Sequence, residues 1–167
     1  MNEILWKPAN TSDTHINKFI DIVNTTYDED LQTYDDLYHW SINNISQFWE
    51  TSLEYSDIVY QGTYKNVLNS LHIAPGVKWF SGLDLNFAEN LLKFKDDQTA
   101  IISKIEKHPP KHISYKELYT QVEKLSSALR DLGLCKGDRV AGFMPNIAEA
   151  VIAMLATTSI GAIWSSS

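Results

Sequence analysis

The sequence holds a single cysteine, Cys135, in 167 residues, so no internal disulfide can form. That scarcity fits a reducing compartment, and the expected location is cytoplasmic. Set between Leu134 and Lys136-Gly137, Cys135 reads as a small residue of a connection, with no second cysteine nearby for a metal or redox pair. Long apolar runs are also missing: none approaches the ~18 residues of a membrane-spanning helix. The opening, MNEILWKPANTSD, lacks the basic-then-apolar order of a secretory signal. Basic charge is short, 14 Lys and Arg against 21 Asp and Glu, and the net charge of −7 argues against nucleic acid or an anionic membrane as partner. The seven glycines stand singly, with no G-x-G-x-x-G and no G-x-x-x-x-G-K-[ST], so no loop offers consecutive N–H groups to a phosphate. No serine sits in a G-x-S-x-G elbow.

What is present is organised around GDRVAGFMPNIAEAVIAMLATTSIGAIWSSS, residues 137–167. Arg139–Met144 is a short apolar run bounded by Gly137-Asp138 and Pro145, and it predicts a strand. Asn146 with Glu149 three residues on is the spacing of a capping box, predicting a helix from Ile147. Glu149 is the only charge between Ile147 and Trp164, so that helix has no polar face and belongs against a sheet. Gly161 predicts the helix stop and Ala162–Trp164 a second, parallel strand. A parallel sheet needs cover on both faces, which predicts that the chain is a piece of a larger protein.

Upstream, Ser12 or Asp13 is placed to cap a helix carrying Ile16, Phe19, Ile20 and Val23. The acidic stretch Tyr27–Asp36 has no glycine and no calcium-loop spacing, so it reads as a solvated connector. Thr33 with Asp36 predicts a helix holding Leu37, Tyr38 and Trp40; another follows from about Ser46, with Phe48, Trp49 and Leu53 turned inward. Trp6-Lys7-Pro8 reads as extended, and residues 57–72 give only fragments of strand or turn. Pro75-Gly76 marks a turn before the aromatic run Val77–Phe80. Asn86 with Glu89 predicts a helix through Leu92, Gln98–Ile105 a strand, His112–Ser114 a return strand, and Ser114 with Glu117 a third capping box. The helix from Tyr115 carries Leu118, Val122, Leu125, Leu129 and Leu132 at spacings of four and three, ending at Gly133. Asp35 with His39, and His108 with His112, have i, i+4 spacing, but a surface pair explains the first and Pro109-Pro110 breaks any helix at the second, so no metal site is expected.

Residues 1–95 thus form a helical, aromatic-rich lead and residues 96–167 the start of an α/β domain with a mainly parallel, incomplete sheet. Tryptophans spread through short helices predict a lead that closes no core of its own. Trp40-Ser41, Phe48-Trp49, Trp79–Gly82 with Leu85-Asn86, Lys136–Val140 and Pro145–Val151 resemble the adenylate-forming acyl-CoA synthetases, specifically their amino-terminal segment and the start of their AMP-binding domain. Leu85–Leu92 and Gly161–Ser166 are similar to the acetoacetyl-CoA synthetase branch. The resemblance implies a ligase that uses ATP, Mg and CoA to turn acetoacetate into acetoacetyl-CoA through an acyl-adenylate. It implies as partners the remainder of the AMP-binding domain and a small carboxy-terminal domain. The family's phosphate loop, nucleotide-binding residues and catalytic lysine map beyond Ser167, so no catalytic residue is assigned here and the chain alone is expected to be inactive. Trp164, Ser165, Ser166 and Ser167 approach the strand end from which the family's CoA channel is built. The rival readings are a ligase for acetate, propionate or another short acid, and a non-catalytic binding or assembly module; self-association of the chain is also expected.

Overall fold

The computed structural model describes residue 6, residues 10–71 and residues 75–167. Lys7 and Pro8 of the expected extended opening, and His72, lie outside the described residues. The chain divides into two compact units, Met1–Ile58 with Thr63–Gly82, and Val59–Gly62 with Leu83–Ser167.

The first unit is built on three helices: α1 (His15–Tyr27), α2 (Tyr34–Asn43) and α3 (Ile45–Tyr55). Thr14, not Ser12 or Asp13, caps α1, its hydroxyl accepting from Asn17 N–H. A turn comes first: Thr14 N–H donates to Thr11 C=O at 3.1 Å, while Asp13 is drawn into an ion pair with Lys18. That turn delays the helix by a residue. Asp28 ends α1 in the left-handed conformation, and the Asn24 amide bonds both the N–H and the C=O of Leu31, each at 2.9 Å. The expected Thr33–Asp36 capping box opens α2 with both halves present.

Val23, Phe19, Leu37 and Trp40 are buried together, with Tyr27, Leu31, Phe48 and Tyr55 packed around them. The lead therefore closes a small core of its own, contrary to expectation. Rings fill the space between short helices that aliphatic side chains of this number would leave open. Trp40 Nε1–H donates to the Glu29 carboxylate at 3.1 Å, and buried Thr51 is tied to Gln47 C=O and the Tyr27 hydroxyl. Trp49, expected inside, is instead 45% exposed, its ring set edge-on to Trp79 at 5.6 Å. Beyond α3, Leu68 bridges Trp79 antiparallel, and Phe80 N–H donates to Val67 C=O. Gly82 permits the close approach of Thr63 C=O, which a Cβ would meet at 2.3 Å.

The second unit contains β1 (Gln61–Gly62), β2 (Leu83–Asp84), α4 (Phe87–Leu91), β3 (Thr99–Ser103), β4 (Lys111–Ser114), α5 (Tyr115–Asp131), β5 (Arg139–Gly142), α6 (Ala148–Ser159) and β6 (Ile163–Ser166). The strands form three pairs: β1 with β2 and β3 with β4 are antiparallel, and β5 with β6 is parallel. The α/β reading holds, with its parallel βαβ unit where the sequence puts it. The Ser114–Glu117 box opens α5. Leu118 and Val122 of α5, Ile152 and Leu155 of α6, Ala88 of α4 and Ile113 of β4 share one core. Leu132, expected on the same face, is 83% exposed. The chain leaves α5 there: Leu134 N–H reaches back to Leu129 C=O at 3.0 Å, and Gly133 takes φ 92°.

Candidate functional site

The expected site residues sit at the carboxyl end of the parallel pair. Arg139 pairs with Ile163, Val140 with Trp164, Ala141 with Ser165 and Gly142 with Ser166. Ile163 N–H donates to Asp138 C=O at 2.7 Å, and Ser167 N–H to Gly142 C=O at 3.1 Å, extending the ladder past the strand. Alternation along the strand puts Trp164 and Ser166 on one face, Ile163 and Ser165 on the other. Trp164 is half-buried, and a Cβ built on Gly142 would meet its ring at 2.4 Å. Gly142 is thus a close-packing glycine, which neither periodicity nor turn chemistry in the sequence marks. Ser165, Ser166 and Ser167 are exposed. In open α/β sheets this edge is where ligands bind. A serine becomes a nucleophile only beside a positioned base, so the chemistry open to these hydroxyls is hydrogen bonding to a ligand.

The loop that leads from β5 to α6 corrects one reading. Asn146 does not cap the helix; Ile147 is the N-cap and makes no side-chain cap bond. Ile147 N–H turns back to Pro145 C=O at 2.9 Å, so the helix starts a residue later and Asn146 falls outside capping reach. Glu149 faces Lys111 at 3.7 Å instead. Phe143, in this loop, is 96% exposed at the same carboxyl edge. Within α6, Thr157 is fully buried and its hydroxyl has no partner among the described residues.

Asn86 ties the unit together in a way the sequence shows only in part. Its Oδ1 accepts from Glu89 N–H, as the cap spacing predicts, and its Nδ2 donates to Thr158 C=O at 2.9 Å. That joins the start of α4 to the end of α6, 72 residues apart in sequence. Asn90 likewise bonds both N–H and C=O of Val59.

His39 Nδ1 contacts the backbone C=O of Asp35 at 2.7 Å, and His112 lies in β4. Among the described residues no three His, Cys, Asp or Glu side chains converge as metal ligands. Among the described residues, Asp36 is a carboxyl whose titration the fold displaces. The Thr33 hydroxyl and the N–H groups of Gln32 and Thr33 all donate to its carboxylate and hold it below the usual range, with His39 adding a small pull the same way. That is a helix cap, not a catalytic group.

Comparison with known proteins places these elements. A family model described as AMP-binding enzyme matches residues 87–166, and one described as acetyl-coenzyme A synthetase N-terminus matches residues 34–91. The chain is 42% identical to an acetoacetyl-CoA synthetase of Rattus norvegicus, over 98% of this chain and 25% of the relative. It is 39% identical to a malonamoyl-CoA synthetase of Penicillium aethiopicum, over 97% of this chain and 23% of the relative. The solved acetoacetyl-CoA synthetase from Streptomyces lividans superposes with a TM-score of 0.84 at 34% identity, over 93% of this chain and 25% of that one. The chain therefore spans about a quarter of the length of the relatives it matches.

Proposed function

From the premise that this chain belongs to the AMP-binding enzyme family, we propose that it works as the opening quarter of an AMP-forming acid–thiol ligase that makes acetoacetyl-CoA. The carrying observation is the likeness to acetoacetyl-CoA synthetases along nearly the whole chain, with the two family models in the same order. The reaction would use ATP, Mg and CoA: a carboxylate attacks the α-phosphate to give acyl-adenylate and pyrophosphate, and the CoA thiol then displaces AMP. Such chemistry needs a clamped triphosphate and a water-poor site for the mixed anhydride. The residues of this chain offer no run of consecutive N–H groups to a triphosphate, since their glycines stand singly. No step is therefore assigned to them. Their part is to form the βαβ unit and to hold the strand end Trp164–Ser167 on which a CoA channel can be built. The expected setting is cytoplasmic.

A specific observation supports a second acid. The malonamoyl-CoA synthetase matches this segment nearly as well as the acetoacetyl-CoA synthetases do, so acid choice is not written in these residues. The test is a chimera in which this chain replaces the matching quarter of the rat enzyme, assayed with acetoacetate, malonamate, acetate and propionate at saturating CoA. The proposal expects this chain to stand in for the rat segment, with AMP and pyrophosphate released and the rat enzyme's acid preference unchanged; a folded chimera without turnover would overturn it. Release of ADP and phosphate would contradict the ligase class. An unchanged preference after further exchange of the downstream quarters would locate acid choice here instead.

A further inference from the structure

The parallel pair β5–β6 has two unlike faces. Val140, Gly142 and Trp164 lie on one, buried or half-buried beneath α6, which packs against both strands. Arg139, Ala141, Ile163 and Ser165 lie on the other, and all four are exposed. Phe143 belongs with the bare face. A Cβ built on Gly142 would meet the Trp164 ring at 2.4 Å and Met144 Cε at 3.4 Å, so residues 142, 144 and 164 crowd the covered side. Alternation turns the residue between 142 and 144 the other way, and there Phe143 is 96% exposed and Ile163 52%. Ala141, Phe143 and Ile163 thus give the bare face an apolar centre. Parallel sheets are covered by helices on both faces, so a helix is the cover this one lacks. Five residues offer a few hundred Å², short of the ~800 Å² per partner of a standard interface between separate proteins. A second copy or another diffusing partner would not be held by this face alone. Chain that is covalently continuous escapes most of the cost of association, so a patch of this size suffices for it. The matched relatives carry about three quarters of their length outside this segment.

We propose that this bare face is the docking surface for an apolar helix from the remaining three quarters of the ligase, with Phe143 as its anchor. This rests on the reading of the chain as the opening quarter of a longer enzyme. The test compares thiol labelling at Phe143→Cys in the 167-residue chain and in the rat chimera, both with the exposed Cys135 replaced by serine. Peptide mass spectrometry reads residue 143 apart from the cysteines of the rat portion. Labelling should be fast in the 167-residue chain and at least about tenfold slower in the chimera, where it requires a local opening. Ser165→Cys, on the same face, serves as a second reporter and should follow the same pattern. A chimera that melts in one sharp transition yet labels both positions as fast as the 167-residue chain would overturn the proposal. Protection that grows with concentration in the 167-residue chain would assign the face to a second copy and also overturn it. A folded chimera that protects residue 143 without turnover would sink the ligase reading and keep the docking face; turnover with residue 143 still fast would do the reverse.

Discussion

Gly142 carries more structural demand than its neighbours in the sequence suggest. An added methyl would press into the Trp164 ring at 2.4 Å, and neither strand can back away without breaking the parallel ladder. Gly142→Ala should destabilise the chain by about 1–3 kcal/mol in denaturant unfolding, the usual range for overpacking. Adding Trp164→Leu should recover part of that loss; no recovery would mean that the ring is not the obstacle. Asp36 gives a second residue-level test, with a definite sign. Its folded-state pKa lies below the ordinary Asp value, so it contributes stability above that value and loses it as pH falls through the lowered folded pKa. An NMR titration should place Asp36 below an ordinary aspartate. Thr33→Ala should move it upward, because the first and largest of the lowering bonds is gone. No movement would remove the hydroxyl from the cap.

At the level of elements, the βαβ unit depends on α6 being buried on several sides. Leu155 is almost completely buried in the core shared with α4 and α5. Leu155→Ala should cost about 2–5 kcal/mol, whereas Phe143→Ser, at a fully solvated position, should leave the unfolding midpoint nearly unchanged. Equal effects would mean that the packing is wrong. Periodicity made α5 legible, the all-apolar run up to Gly161 made α6 legible, and the two complete capping boxes, Thr33–Asp36 and Ser114–Glu117, marked α2 and α5. Where the sequence misled, a local competitor decided: the Pro145–Ile147 turn displaced Asn146, and the turn at Thr11–Thr14 displaced Ser12. What could not be read were contacts between distant residues, such as Asn86 with Thr158 or Gly142 with Trp164. Those depend on which elements meet, and spacing along one strand or helix carries no such information.

For the whole chain, the second unit leaves strand edges open among the described residues, with Ile102 and Ile163 exposed on the strands. Burying such surface is worth roughly 25 cal/mol per Å². Sedimentation at increasing concentration should therefore show self-association, and a strictly monomeric species that binds no hydrophobic dye would count against it. The site was legible only as a place, the strand end at Trp164–Ser167, because no phosphate-cradling glycine motif stands in the sequence to mark more. The central claim is that this chain supplies framework to an adenylate-forming ligase and no catalytic group. ATP–pyrophosphate exchange, measured with acetoacetate and Mg on the purified 167-residue chain, tests it most directly. The account predicts exchange indistinguishable from a protein-free control, and acetoacetate-dependent exchange above that level would contradict it.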